Sequence, residues 1–292
     1  MGRVRNLTRL AGLALAFSLA QVSLTAQAQA SRSATASSYR ERGLGWLSKG
    51  RPDLALTDFE IAITFDPKSA MGFYCRGVVL FDKGALDRAA ADFDKAILLN
   101  PNFTEAFYNR GLIRQKKGDL QGALADYSRA ITLSPRLKEV WNNRGNVRKA
   151  LDDLSGAIAD FDMAIELAPN FAAAYNNRGN AKKSKGDLVG AMSDYTRALQ
   201  LDSTYAVAFF NRGLVRQSQG DLDGALSDFN HAIEISPNLV EPYFYRGQAL
   251  LSMKNPSKAA QNFNRFLDLS HGSRPLLERK IKELMAQMIV KY

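Results

Sequence analysis

The dipeptide Arg-Gly recurs seven times in this chain at a constant spacing of 34 residues. Its glycines are Gly43, Gly77, Gly111, Gly145, Gly179, Gly213 and Gly247. Strict self-similarity at a period of this length is typical of a solenoid, in which each repeat buries its apolar face against its neighbours. The period divides the chain into seven repeats: 36–69, 70–103, 104–137, 138–171, 172–205, 206–239 and 240–273.

Each repeat carries the signals of two helices joined by a short turn. In the fifth repeat, Ala172 to about Lys185 has helical periodicity that breaks at Gly186, a typical helix C-terminal signal. Asp187 can then accept hydrogen bonds from the free amides that open a second helix, which runs to about Leu201. The sequence therefore predicts an all-α protein made of helix-turn-helix repeats.

Small and aromatic residues follow one order in repeats one to six, which in the fifth is Tyr175, Gly179, Ala191, Tyr195 and Ala198; the seventh repeat departs from it only at the last position, where Phe266 replaces alanine. This order resembles the tetratricopeptide repeat across residues 36–273. The resemblance implies a right-handed superhelical solenoid of seven repeats, with first helices lining a concave groove and second helices outside. It also implies binding of a protein or peptide partner and no enzymatic activity.

Glycine inside a helix costs about 1 kcal/mol relative to alanine, so we expect Gly179 to have a packing role, opposite a flat stripe of Ala191 and Ala198.

The two ends of the chain depart from the repeat. Residues 1–30 combine three arginines, an apolar run over Leu10–Ala20 and small residues at cleavage spacing, which predicts a signal peptide cleaved after Ala28 or Ala30. The alternative is an uncleaved anchor, but the run is shorter than the roughly 20 residues of a spanning helix. A linker at 31–35 would follow, and the mature protein would be periplasmic or secreted, without membrane contact.

Residues 274–292 read as an amphipathic capping helix that covers the last apolar surface of the solenoid. Its predicted apolar face consists of Leu277, Ile281, Leu284, Met285, Met288 and Tyr292. A helix that binds a partner or lies on a membrane surface is the alternative interpretation.

Composition excludes several classes of function. The net charge is +10, but its sign changes from repeat to repeat, so no continuous basic stripe exists for a nucleic acid. The two histidines, His231 and His271, have no acid or nucleophile at a catalytic spacing, and no metal-ligand cluster occurs. We therefore expect no enzymatic activity, no metal and no cofactor.

An arginine occupies a position that is usually apolar in the family, and an aspartate follows it by 16 residues in six repeats. A partly buried arginine is tolerated when a carboxylate takes its fork of donors. We therefore predict a structural ladder of ion pairs between helices, with arginines lining a binding site as the alternative. The predicted pairs are Arg42–Asp58, Arg76–Asp92, Arg110–Asp126, Arg144–Asp160, Arg178–Asp194 and Arg212–Asp228. Four more cations, Arg114, Arg148, Lys182 and Arg216, stand one turn later, directed either to solvent or to the same aspartates.

Asparagines recur on the remaining face of the first helices, one per repeat, at Asn109, Asn143, Asn177 and Asn211. Amides offer two donors and an acceptor, which suits the backbone of an extended peptide. Some tetratricopeptide proteins use such a ladder for peptide capture, so the resemblance supports this role. The alternative is that these amides hydrate the groove or bond between neighbouring helices. The other predicted groove residues are Asn142, Asn146, Asn176, Asn180, Tyr74, Tyr108, Phe210, Lys149 and Lys183.

The functional hypothesis is an exported scaffold that binds an extended segment of a partner protein, with Lys149 and Lys183 favouring acidic segments. An adaptor or glycan-binding accessory to a cell-envelope enzyme is the alternative. Cys75 takes the ladder position in the second repeat, either as a small packing residue or as a free thiol that pairs between molecules.

Overall fold

The computed structural model of the chain describes the backbone of residues 2–291 and the side chains of residues 25–286. Within that part, fifteen helices and no strands are present, so the predicted all-α repeat fold is confirmed. The chain separates into an N-terminal half that ends at Pro135 and a C-terminal half that begins at Arg136.

The N-terminal half holds three packed helix pairs. They are α1 (Gly2–Ser48) with α2 (Pro52–Phe65), α3 (Ala70–Asp82) with α4 (Leu86–Leu99), and α5 (Thr104–Lys116) with α6 (Leu120–Leu133). Helix α1 runs without a break through the predicted linker at 31–35 into the first repeat. The side chains of the predicted signal peptide lie outside the described residues up to residue 24. Export of the protein therefore stays a prediction.

The C-terminal half holds four packed pairs and a last helix. The pairs are α7 (Lys138–Ala150) with α8 (Leu154–Leu167), α9 (Ala172–Ser184) with α10 (Leu188–Leu201), α11 (Ala206–Ser218) with α12 (Leu222–Ile235), and α13 (Glu241–Ser252) with α14 (Pro256–Ser270). The last helix is α15 (Pro275–Lys291).

The turn between paired helices has the predicted chemistry. Gly186 adopts a φ of +89°, a left-handed conformation that glycine accepts without strain. The Asp187 carboxylate accepts a hydrogen bond from the backbone N–H of Gly190 at 2.8 Å, which caps α10. These two local signals reverse the chain and set the two helices of a repeat side by side.

The mid-helix glycines have a packing role, although a different one from the sequence expectation. A Cβ on Gly179 would lie 2.7 Å from Cε1 of the Tyr195 ring, so the bare backbone leaves room for that ring. Ala191 and Ala198 instead pack towards α11 of the next repeat, where they contact Val215 and Ala208. Glycine therefore closes each repeat on itself, and the alanines join one repeat to the next.

Helix α15 covers the end of the last repeat. Ile281 is fully buried against Phe244, Phe263 and Phe266, and three other predicted apolar positions, Leu277, Leu284 and Met285, pack around them. The side chains of Met288 and Tyr292 lie outside the described residues. The large ring of Phe266 replaces the alanine of the other repeats, and α15 packs over it.

None of the helices searched in the described part of the chain has the length and apolar character needed to span a membrane.

Candidate functional site

Six arginine–aspartate pairs join the first and second helices of repeats one to six. In each, Nε and Nη2 of the arginine donate to the two carboxylate oxygens of the aspartate, at distances between 2.5 and 3.0 Å. The aspartates are 1–5% exposed. The structure thus places Arg42, Arg76, Arg110, Arg144, Arg178 and Arg212 on Asp58, Asp92, Asp126, Asp160, Asp194 and Asp228.

The second cation of repeats three to six binds the same aspartate. Arg114, Arg148 and Arg216 donate through Nη1, and Lys182 through Nζ, at 2.7 to 3.0 Å from a carboxylate oxygen. In the first repeat the indole Nε1 of Trp46 takes this place and donates to Asp58 at 3.1 Å. The position that sequence left undecided is therefore part of the interhelical network and not of a binding surface.

An aromatic ring lies under the arginine of each Arg-Gly dipeptide. Sequence reasoning missed this contact. The guanidinium of Arg178 sits 5.4 Å from the centre of the Tyr175 ring, three residues earlier on the same helix. The other pairs are Arg42–Tyr39, Arg76–Phe73, Arg110–Phe107, Arg144–Trp141, Arg212–Phe209 and Arg246–Tyr243, at 4.7 to 5.7 Å. The constant spacing of three residues was the signal that could have revealed them.

The charge state of the ladder follows from these contacts. Burial opposes the charge on Arg178, but hydrogen bonds to Asp194 and Asp162 outweigh it and raise the pKa of its guanidinium. The hydrogen bond from Arg42 outweighs burial at Asp58 and lowers the pKa of that carboxyl. At Arg178 and at Asp58 the ion pair therefore stabilises the charged form of the side chain.

The groove asparagines of the C-terminal half bond to one another in a continuous chain. Asn211 donates to Asn176 at 2.9 Å, Asn176 to Asn177 at 3.4 Å, Asn177 to Asn142 at 3.0 Å, and Asn142 to Asn143 at 3.4 Å. In the N-terminal half, Asn109 donates to the hydroxyl of Tyr74 at 3.2 Å.

These hydrogen bonds between asparagines correct the expectation that the amides are free to bind a peptide. Asn142, Asn176 and Asn211 are only 3–7% exposed, because each is used to bond neighbouring first helices. Asn143 and Asn177 remain half-buried. The amides are therefore not a row of free groups, and the surface they offer is limited to the half-buried members.

Two lysines lie on the same helices one to two turns beyond the amides. Lys149 on α7 and Lys183 on α9 are half-buried. Burial lowers the pKa of Lys149, and burial together with the ammonium of Lys149 lowers the pKa of Lys183. Among the described residues, no carboxylate lies within ion-pair distance of either ammonium group. This pair is consequently a local excess of positive charge beside Asn146 and Asn180.

The remaining predicted groove residues are half-buried and take part in packing. Tyr74 lies against Phe103, with ring centres 4.7 Å apart, while the rings of Tyr108 and Phe210 lean on Tyr127 and Phe229. Asn180 accepts a hydrogen bond from the hydroxyl of Tyr195 at 2.8 Å.

Cys75 is 6% exposed, and burial raises the pKa of its thiol to about 11. It is therefore a packing residue, and the alternative of a free thiol that pairs between molecules has no exposed sulfur to support it.

Family models of the tetratricopeptide repeat match residues 77–118, 104–137, 139–171, 179–220 and 206–239. The chain belongs to the tetratricopeptide repeat family. Proteins of this family are scaffolds that bind protein or peptide partners, and the helix pairs described above are its repeats. A search of curated protein sequences finds no match.

Several solved structures share this fold. A repeat protein from Parabacteroides merdae matches with a TM-score of 0.67 and 18% identity, over 86% of this chain and 98% of that one. Pseudomonas aeruginosa PilF matches with a TM-score of 0.65 and 20% identity, over 75% of this chain and 99% of that one. YrrB, described as having an unusual peptide-binding site, matches with a TM-score of 0.55 and 24% identity, over 67% and 97%. Identities this low show the fold alone.

Proposed function

We propose that this tetratricopeptide repeat protein is an exported, non-catalytic scaffold that binds an extended acidic segment of a partner protein along α7 and α9. One observation carries the proposal: Lys149 and Lys183 form a half-buried cation pair without a carboxylate partner among the described residues, beside half-buried asparagine amides. In repeats four to six the half-buried arginines are matched by aspartates, so this surface is built to receive negative charge from outside.

The amide chain supports recognition of a peptide backbone. Asn177 uses one N–H on Asn142 and accepts one hydrogen bond from Asn176. An asparagine amide has two N–H donors and two acceptor lone pairs, so a donor and an acceptor of Asn177 remain for a ligand. The same bonds hold the side chain in one orientation, which lowers the entropy lost on binding.

The lysine pair supports selection of acidic side chains. Bringing a carboxylate to two like charges relieves their repulsion and raises their lowered pKa values towards the ordinary value. Peptide binding in this fold has a precedent in YrrB, whose description names a peptide-binding site.

The test is a titration of the purified protein with an extended acidic peptide, followed by calorimetry. We expect Lys149→Gln and Lys183→Gln each to weaken binding at least fivefold, and Asn177→Ala to weaken it as well. Lys185→Gln is the matched control, because it removes the same charge just past the end of α9 and should bind as the native protein does. Equal affinity for a charge-reversed basic peptide, or binding of muropeptides alone, would refute the proposal.

Export rests on a separate observation, the leader in residues 1–30. We expect fractionated cells to contain a mature protein that begins at residue 29 or 31, read by N-terminal sequencing. A cytosolic protein with an intact leader would overturn export and leave the peptide-binding proposal standing.

A further inference from the structure

Arg246 in the seventh repeat is the exception to the ion-pair ladder. Its Nε donates to Oδ1 of Asn262 at 2.7 Å, and its Nη1 donates to Oδ1 of Asn230 at 2.8 Å. Both acceptors are neutral amides, whereas an aspartate receives Nε and Nη2 in the six other repeats. Within the described part of the chain, Nη2 of Arg246 donates to no acceptor.

The charge of Arg246 is also left unbalanced by its surroundings. The carboxylate whose charge acts on Arg246 belongs to Glu234, which is exposed and makes no ion pair with it among the described residues. Burial lowers the pKa of the Arg246 guanidinium, the reverse of the direction found at Arg178. The apolar Leu250 takes the position that a second cation occupies in repeats three to six, so no second cation shares the acceptors of Arg246.

A cavity of about 340 Å³ opens directly at this arginine. Its polar lining comes from Arg246, Lys258, Gln261 and the two asparagines that hold the guanidinium, and two leucines form its apolar wall. Lys258 and Gln261 are exposed and can turn towards the cavity, while the amide of Asn262 is fixed because its Nδ2 donates to the carbonyl of Lys258 at 2.8 Å. A free guanidinium N–H, an ammonium and an amide donor thus converge on one space.

We propose that this cavity is a binding site for a carboxylate group, supplied either by a small organic acid or by an acidic side chain of another protein. Six repeats of the same chain show that a planar carboxylate is the group that complements this arginine. In the seventh repeat the internal carboxylate is missing, and a space open to solvent stands beside the unused donor. The site does not depend on the proposed peptide-binding face.

The deciding variant is Asn262→Asp, which restores the aspartate of the other repeats. It should neutralise Arg246 from within and weaken binding of succinate at least tenfold, while the protein becomes more stable in chemical denaturation. Arg246→Gln should weaken binding to the same extent. Arg265→Gln is the control, since it removes an exposed charge from α14 that does not line the cavity and should bind like the native protein.

The measurement is calorimetry at constant ionic strength with three probes: sodium succinate, an acetylated and amidated Glu-Glu dipeptide, and inorganic phosphate. Tighter binding of succinate assigns the site to small acids, and tighter binding of the dipeptide assigns it to acidic side chains. Undiminished binding to Asn262→Asp, no binding of either carboxylate, or a preference for phosphate would overturn the proposal.

Discussion

Nε and Nη2 of Arg178 both donate to the carboxylate of Asp194, at 2.9 and 2.5 Å, and so join the two helices of the fifth repeat. Nη1 of the same arginine donates to Asp162 of the preceding repeat at 2.6 Å. One side chain therefore fixes both the closure of its own repeat and the register with its neighbour.

Replacing Arg178 with leucine should destabilise the protein strongly. Asp194 is 3% exposed and would keep only Lys182 as a partner. Removing one member of a buried ion pair costs about 3 to 5 kcal/mol, and chemical denaturation would measure this loss in the free energy of unfolding. The control Arg197→Leu changes an exposed arginine of α10 and should stay within about 0.5 kcal/mol. Native stability of Arg178→Leu would show that the ladder is not structural.

Replacing Gly179 with alanine should also be unfavourable, although alanine is the better helix former. The new Cβ would meet the fully buried Tyr195 ring at 2.7 Å, and such overpacking typically costs about 1 to 3 kcal/mol. Gly45→Ala is the matched control, because no atom lies within 4 Å of its added Cβ. Gly45→Ala should gain up to about 1 kcal/mol of stability from helix propensity. Thermal denaturation would compare the two variants, and a melting temperature that shifts in the same direction in both would contradict the packing role of Gly179.

Replacing Asn176 with alanine should destabilise the protein through Asn211. The amide of Asn211 is 7% exposed and would lose the acceptor that it reaches at 2.9 Å. An unsatisfied buried donor costs about 1 to 3 kcal/mol. The exposed Asn170→Ala serves as control, and a double-mutant cycle with Asn211→Ala should reveal a coupling; strict additivity would argue against the amide chain.

Cys75 should react slowly in the folded protein. Burial raises the pKa of its thiol from 9.0 to about 11, so at pH 8 the thiolate fraction falls about 100-fold, and the sulfur is also screened from reagent. Alkylation by iodoacetamide at pH 8 would be followed by mass spectrometry, with the protein unfolded in guanidinium as the control. Equal rates in the two states would place the thiol at the surface.

Much of the fold could be read from local spacing. The turn of the fifth repeat depends on Gly186 and Asp187, and both signals act within a few residues of themselves. The ion pairs could also be predicted from the sequence, because arginine and aspartate recur 16 residues apart in six repeats and opposite charges attract each other.

The candidate site was less accessible, since the direction of a polar side chain depends on its neighbour. Asn177 fits the pattern of a groove residue, yet its amide reaches Asn142 in the preceding repeat. Ala191 shows the same limit, because it serves the contact with Val215 and not the facing glycine.

By itself, the sequence determined the number of repeats, the presence of two helices in each repeat and the pairing of charges within a repeat, because these follow from a strict period and short-range interactions. Only the tertiary structure decided which amides are buried, where the second cations bind and that Arg246 faces an open cavity. Those outcomes depend on how one helix pair packs on the next, and that geometry sets the distances at which side chains find a partner.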